Sequence, residues 1–181
     1  MQIKKFDIEG PLLLIPTVFA DSRGYFFESY SQKLLVQNGI DYGFVQDNQS
    51  LSNKGILRGL HFQSPPFAQG KLVRVVCGSV IDIIVDIRKS SPSYGKSIRI
   101  EISDKNFYQL WVPPGFAHGF SVLEDNTVFQ YKCTEYYNKE SEGGILYCDE
   151  ILNLNWSTEN PIVSDKDKDL PLFKNFISPF N

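Results

Sequence analysis

His61, one of only two histidines in this sequence, lies in a segment that also carries positive charge. Arg58 precedes it on the same apolar segment, and Lys71 opens the next one beyond a Pro-rich loop. A lone histidine in an apolar strand is most often structural. Two cations beside it would fill a core poorly, however, because unpaired buried charges are strongly unfavourable. The three side chains together suit a bound anion, and a diphosphate is the natural candidate.

The spacing of Arg58 and His61 raises a geometric problem. Strict alternation along a strand would place the two side chains on opposite faces of a sheet. Gly59 lies between them, and glycine in a strand often marks a β-bulge, which re-aims the side chains that follow. We therefore expect a bulge at Gly59 if both side chains share one pocket.

Tyr131 is the candidate proton donor. It lies on a predicted strand, on the same face as Phe129 and Cys133, so a core tyrosine and a catalytic one are both open. A phenol with a pKa of about 10 can protonate a carbanion or enolate from the side opposite a base. His118 follows a Pro-Pro-Gly turn at a predicted loop-to-strand junction, where a ligand contact and a structural role are equally open.

Several carboxylates accompany these groups. Asp82 and Asp86 share one face of an apolar strand, and we interpret them as structural acids paired with Lys71 or Arg74 on the neighbouring strand. The run Asp165–Asp169 is typical of a solvated charged loop. Alternatively, one of its carboxylates folds back to orient a histidine and raise its basicity.

Period-2 alternation and β-branched or aromatic runs dominate the chain, with turn residues between them. They predict strands at Gly24–Tyr30, Phe44–Leu51, Ile56–Gln63, Lys71–Cys77, Val80–Ile87, Ile98–Ser103, Phe107–Val112, Gly119–Leu123 and Thr127–Thr134. Only Ser31–Asn38 predicts a helix, with Ser31 as N-cap and Gly39 at its end. We expect a single all-β domain over residues 1–181, a sandwich or barrel whose segment from about 150 to 181 wraps the outside.

Composition excludes several classes of function. The net charge is −3 without clustered Lys or Arg, so no nucleic-acid partner is expected. No segment resembles a signal peptide or a membrane span, and three scattered cysteines do not form a disulfide framework, which predicts a cytoplasmic protein. With two histidines, a three-histidine metal site is impossible and a mixed one is not expected.

Seven segments, in order along nearly the whole chain, resemble the dTDP-4-dehydrorhamnose 3,5-epimerase family. They are Asp21–Glu28, Val45–Ser50, Ile56–Gln63, Gln69–Val75, Leu110–Phe120, Tyr131–Tyr137 and Ser164–Asp167. The resemblance implies a cupin-type jelly roll that acts as a homodimer without a cofactor or metal. It also implies inversion of C3 and C5 of dTDP-4-dehydro-6-deoxy-D-glucose, in dTDP-rhamnose biosynthesis for glycans such as lipopolysaccharide O-antigen.

The resemblance also implies roles for individual residues. His61 resembles the base and Asp167 its carboxylate partner, Tyr131 resembles the acid, and Lys71 resembles the cation that stabilises the enolate. Tyr137, with Tyr136 as its rival, resembles the residue that stacks on the thymine. The remaining substrate contacts implied in the same way are Arg23, Glu28, Gln46, Asn48, Arg58, His118, Glu142 and Lys166.

Two departures from the family pattern are visible: Gln49 stands where many members have His, and Cys133 where Thr is frequent.

Three alternatives to the 3,5-epimerase function stay open at this point. They are a single-centre 3-epimerase or ketoisomerase acting on a related nucleotide sugar, a non-catalytic cupin that binds sugar nucleotides, and a metal-dependent cupin.

Overall fold

The computed structural model describes all residues, Met1–Asn181, and consists mainly of β-strands. The strands are β1 (Gln2–Lys5), β2 (Leu12–Ile15), β3 (Phe19–Asp21), β4 (Gly24–Phe26), β5 (Gln46–Ser52), β6 (Leu57–Gln63), β7 (Lys71–Cys77), β8 (Ser79–Asp86), β9 (Ser97–Ser103), β10 (Gln109–Val112), β11 (Phe116–Val122), β12 (Thr127–Cys133) and β13 (Glu142–Gly144). The helices are α1 (Gln32–Gln37), α2 (Asp165–Lys168) and two 3₁₀ turns, Lys139–Ser141 and Phe173–Asn175. No helix has the length and apolar character needed to cross a lipid bilayer. The all-β prediction is confirmed.

Two antiparallel sheets pack face to face as a jelly-roll sandwich. One sheet has the order β1-β2-β10-β7-β12-β5 and the other β13-β6-β11-β8-β9, while β3 and β4 form a separate hairpin. Alternate residues of the fully buried β8 face in opposite directions: Val80 and Ile84 join the core between the sheets, and Ile81 and Ile83 join a second core. Burial on both faces explains why apolar residues occupy consecutive positions of β8, as at Ile83–Val85.

Each sheet is also covered on its outer face. Beyond the five-stranded sheet, the second core includes Ile145, Leu152, Trp156 and Val163, so the C-terminal part of the chain packs along that face. Beyond the six-stranded sheet, Leu35 of α1 packs in a third apolar cluster. These outer layers cover both sheets and bring the residues that follow Val163 close to β6.

The bulge expected at Gly59 is confirmed by the strand register. His61 lies opposite His118 and Arg58 lies opposite Phe120, so three steps along β6 match two along β11. The extra residue turns Arg58 and His61 to the same face, the one that also carries His118 and looks toward the other sheet.

The structure corrects several element predictions. Strands β1 and β2 were not predicted, because Leu12–Ile15 is a continuous apolar run without alternation. The strand predicted at Gly24–Tyr30 ends at Phe26, where the hairpin with β3 ends. His118 lies within β11, not at a junction. The charged run that begins at Asp165 forms α2 instead of a loop, because the Ser164 side chain accepts a hydrogen bond from the Asp167 N–H.

Gly59 is expected to be irreplaceable for stability. Its φ is +125°, and a Cβ there would lie 2.5 Å from the Gly119 Cα. We expect Gly59→Ala to lower the free energy of unfolding by about 3 kcal/mol or more, from backbone strain and overpacking together. Urea unfolding at equal protein concentration measures this change.

Gly24→Ala is the matched control, because Gly24 has φ +127° but no atom within 4 Å of the added Cβ. In this variant the free energy of unfolding should fall only by the cost of backbone strain, about 1–2 kcal/mol. Equal losses in the two variants would show that the close backbone approach at the bulge contributes nothing.

Candidate active site

A cavity of about 480 Å³ opens between the two sheets at one end of the sandwich. Its lining includes Asn48, Arg58, His61, Lys71, His118, Tyr131, Lys166 and Asp167. A smaller adjoining cleft of about 290 Å³ shares four of these residues and adds Gln46, Tyr137 and Glu142. The structure therefore brings together eleven of the thirteen candidate residues named from the sequence.

His61 and Asp167 form a hydrogen-bonded pair on the wall made by the five-stranded sheet. His61 Nε2 lies 2.6 Å from Asp167 Oδ1, and the Gly59 N–H donates to the other carboxylate oxygen at 3.2 Å. Burial alone would raise the pKa of Asp167, but the His61 contact, the Gly59 N–H and Ser164 outweigh it, and the pKa is lowered. An ionised Asp167 fixes the Nε2–H tautomer of neutral His61 and leaves Nδ1 as the basic nitrogen, without a protein partner.

Tyr131 and Lys71 lie on the opposite wall, on adjacent strands of the six-stranded sheet. The Lys71 Nζ is 5.8 Å from the centre of the Tyr131 ring, and Tyr131 pairs with Asn48 across β12 and β5. Burial raises the pKa of Tyr131, which keeps its phenol protonated, and burial lowers the pKa of Lys71. A base therefore faces the cavity from one sheet, and an acid and a cation face it from the other.

Arg58 and Lys71 have no carboxylate within ion-pair distance, unlike most charged groups of the site. Arg58 donates only to the Ser52 hydroxyl, from Nε at 3.3 Å and Nη2 at 3.2 Å. Most of its donors therefore remain available to an anionic ligand, and a guanidinium suits a phosphate because it can donate two parallel hydrogen bonds.

The rim of the adjoining cleft is an ordered polar cluster around Glu142. The Lys166 Nζ lies 2.6 Å from its carboxylate, and the Tyr137 hydroxyl donates to the same oxygen at 2.8 Å. Burial would raise the pKa of Glu142, but these two partners outweigh it and lower the pKa. Glu142 is therefore an acceptor at neutral pH, suited to the hydroxyl groups of a sugar.

The interior carboxylates of β8 have other partners than the sequence indicated. Asp82 pairs with His118 at 2.9 Å and not with Lys71 or Arg74. Asp86 pairs with Arg88 at 2.7 Å, and its pKa is lowered to about 2, because hydrogen bonds from Arg88 and from neighbouring serines outweigh the effect of burial. Alternation correctly placed the two acids on one face, but it does not reveal their partners, which are His118 on β11 and Arg88 just beyond the end of β8.

Two candidates, Arg23 and Glu28, do not line the cavity of this chain. Arg23 lies at the tip of the β3–β4 hairpin, with its side chain 88% exposed and paired to Asp21 at 2.6 Å. Glu28 is also exposed. The hairpin carries the exposed aromatic residues Phe19 and Phe26, so this projecting element offers apolar as well as charged groups to a neighbour.

The fold and the cavity define a jelly-roll protein with an acid–base site for an anionic ligand. Residues 5–175 match the family model described as dTDP-4-dehydrorhamnose 3,5-epimerase. A protein of that name from Shigella flexneri is 51% identical over 92% of this chain and 93% of its own length. The chain therefore belongs to the dTDP-4-dehydrorhamnose 3,5-epimerase family.

Solved structures agree with this assignment. An epimerase from Legionella pneumophila in complex with dTDP-4-keto-L-rhamnose has a TM-score of 0.93 and 43% identity, and the match covers 97% of this chain and 94% of that one. A 3'-monoepimerase from Streptomyces bikiniensis in complex with dTDP-quinovose has a TM-score of 0.87 and 28% identity, over 92% and 85% of the two chains. The predicted cupin-type jelly roll is confirmed.

Asp167→Asn should impair proton transfer without unfolding the protein. An amide can donate to His61 and stabilise the wrong tautomer, so we expect kcat to fall about 10²–10⁴-fold. Asp165→Asn is the matched control on the same helix, because Asp165 is exposed and its carboxylate pairs with Lys168 and not with His61. Steady-state kinetics measure both variants, and equal activities would exclude a function for the His61–Asp167 pair.

Proposed function

We propose that the chain epimerises C3 and C5 of dTDP-4-dehydro-6-deoxy-D-glucose, which gives dTDP-4-dehydro-L-rhamnose without a cofactor. The observation that carries this proposal is the placement of the His61–Asp167 pair on one wall of the cavity and of Tyr131 on the other. Inversion of a carbon needs a proton removed from one face and another delivered to the opposite face. Two facing walls with a base and an acid supply both.

Each inversion would proceed through an enolate. C3 and C5 flank the C4 ketone, so their protons are acidic enough for a histidine to remove. The C–H bond breaks, its proton moves to His61, and the electron pair shifts onto the C4 oxygen, where Lys71 stabilises the negative charge. The Tyr131 hydroxyl then gives its proton to the opposite face, and solvent restores both groups.

The remaining residues would bind and orient the nucleotide sugar. Arg58 suits the diphosphate, and Gln46, Asn48, His118, Glu142 and Lys166 suit the hydroxyl and carbonyl oxygens of the sugar and its neighbours. For stacking on the thymine we favour Tyr137 over Tyr136, because Tyr137 lines the cleft and its hydroxyl is held by Glu142.

Single-centre epimerisation is the main alternative, and the higher identity to the Legionella enzyme than to the monoepimerase favours two centres. A metal-dependent cupin is a further alternative, which full activity after exhaustive chelation would exclude. A ketoisomerase would move the carbonyl, and a non-catalytic cupin would bind the nucleotide sugar without exchanging its protons.

Turnover in deuterated water separates these alternatives. We expect deuterium at both C3 and C5 of the product, read by NMR with a rhamnose-forming reductase as the coupling enzyme. Label at C3 alone would contradict inversion of two centres. His61→Asn should abolish exchange while binding of a dTDP-sugar stays within about tenfold, because the base acts on the transition state. Unchanged turnover in this variant would contradict the mechanism.

We further propose that the enzyme acts as a homodimer, with the β3–β4 hairpin of each chain completing the site of the other. Two observations support this: Arg23 and Glu28 lie outside the cavity of their own chain, and Phe19 and Phe26 are 64% and 71% exposed. Apolar residues on a projecting hairpin are typical of a surface that is buried in a partner. The same symmetry would place two guanidinium groups, one from each chain, at each diphosphate.

Mixing two inactive variants tests the shared site. If Arg23→Ala and His61→Asn chains are unfolded and refolded together, mixed dimers contain one intact site, and about a quarter of wild-type activity should return. A control mixture of His61→Asn with Tyr131→Phe should stay inactive, because both residues serve the same site. No recovery in the first mixture, with dimers present, would contradict a shared site.

We also propose a cytoplasmic location, with the product entering dTDP-rhamnose biosynthesis for glycans such as O-antigen. The three cysteines support a reducing compartment, because all are free thiols and Cys77 and Cys148 are exposed.

A further inference from the structure

Gln63 is a buried amide whose hydrogen bonds go to two loops at the mouth of the adjoining cleft. It lies on β6, two residues after His61, and is 4% exposed. Its Nε2 donates to the carbonyl oxygens of Phe67 at 2.6 Å and of Tyr136 at 3.0 Å, and its Oε1 accepts from the Asn138 N–H at 2.9 Å. Both amide hydrogens are therefore in use, and the amide has one orientation, because the reverse would turn its oxygen toward two carbonyls.

The second loop carries Tyr137, the residue proposed to stack on the base. Tyr136 and Tyr137 are 62% and 56% exposed, and neither belongs to one of the three apolar clusters. Gln63 instead binds both peptide groups that flank Tyr137. The Tyr137 N–H also donates to Gln46 Oε1 at 3.1 Å. Hydrogen bonds to the backbone, and not packing of the two rings, therefore hold this segment.

The same amide joins this segment to the Pro-rich loop that follows β6. At one end of the two loops, the Ser64 N–H donates to the Ser141 carbonyl at 2.8 Å. At the other end, Gln69 Nε2 donates to the Glu135 carbonyl at 2.7 Å. The loops are thus joined at both ends and, through Gln63, in the middle, where the aromatic segment begins.

We propose that Gln63 is a positioning residue for the nucleotide end of the substrate, which acts by holding Tyr137 in a fixed place relative to His61. All three residues line the same cleft. The hydrogens of the Gln63 amide are used by the loops, so it acts through Tyr137 and not on the substrate. A ring that is held in place before the ligand binds loses little conformational freedom on stacking, so more of the stacking energy appears as affinity. The proposal rests on the epimerase function proposed above.

Hydrogen exchange of the ligand-free protein, read by NMR, is the first test. The Tyr137 amide of the wild type should be protected, although its side chain is exposed. Gln63→Met keeps an unbranched side chain of similar length and removes its polar atoms. In this variant the Tyr137 amide should exchange about tenfold faster or more, even though its own acceptor is Gln46. A Tyr137 amide that exchanges freely in the wild type would overturn the proposal without any variant.

The second test measures binding of dTDP by isothermal titration calorimetry. Gln63→Met should weaken this affinity about tenfold or more, because the loop must be ordered when the nucleotide binds. The KM for the dTDP-sugar should rise by a similar factor with little change in kcat, since stacking is equal in the ground state and the transition state. A merely structural role would instead reduce the amount of folded protein, which lowers the apparent kcat and leaves KM unchanged.

Gln130→Met is the matched control for the binding measurement. The Gln130 amide accepts from Arg74 Nε at 3.0 Å, and it lines neither the cavity nor the cleft, so this variant should keep the wild-type affinity for dTDP. Unchanged dTDP affinity in Gln63→Met, or an equal loss in both variants, would overturn the proposal even if the protein proved to be an epimerase. Neither the affinity nor the exchange rate depends on turnover, so this failure is distinct from a failure of the proposed function.

Discussion

The extra residue of β6 at Gly59 is the constraint on which the site depends. It lets the backbone of β6 approach β11 so closely that no side chain fits at Gly59, and it reverses the alternation between Arg58 and His61. Without it, the base and the guanidinium would face opposite sides of the sheet. The Gly59 N–H also donates to Asp167, so the same irregularity helps to hold the carboxylate that orients His61.

The charges of the cavity follow a consistent arrangement. Its carboxylates are partnered, Asp167 by His61 and Glu142 by Lys166, whereas Arg58 and Lys71 have no carboxylate within ion-pair distance. The site therefore presents free positive charge in a partly desolvated space, where electrostatic interactions are stronger than in water. An anionic ligand would complete this arrangement, and the two sheets place the donors on either side of the cavity before it binds.

Side-chain type and strand periodicity are local properties, and they indicated an anion site around His61, Arg58 and Lys71. The catalytic roles of Lys71, Tyr131 and Asp167 were implied by the family resemblance. Alternation correctly placed Asp82 and Asp86 on one face of β8, and Gly59 indicated the bulge. What the sequence did not reveal depends on contacts between distant segments. The partner of Asp82 comes from β11, and β2 shows no alternation because both of its faces are covered. The charged run at Asp165 is polar enough for a loop, and only the Ser164 cap and the docking of Asp167 on β6 make it a helix.

The contact between His61 and Asp167 joins residues 106 positions apart in the chain. During synthesis at ~5–20 residues per second, His61 therefore leaves the ribosome about 5 to 20 seconds before its carboxylate partner. Every strand of both sheets precedes Asp167, so the sandwich can assemble while the base is still unoriented. The site would therefore transfer protons efficiently only after the segment that carries Asp167 has been synthesised and has docked on β6. A nascent chain that ends before Asp167 should have a folded sandwich but little activity.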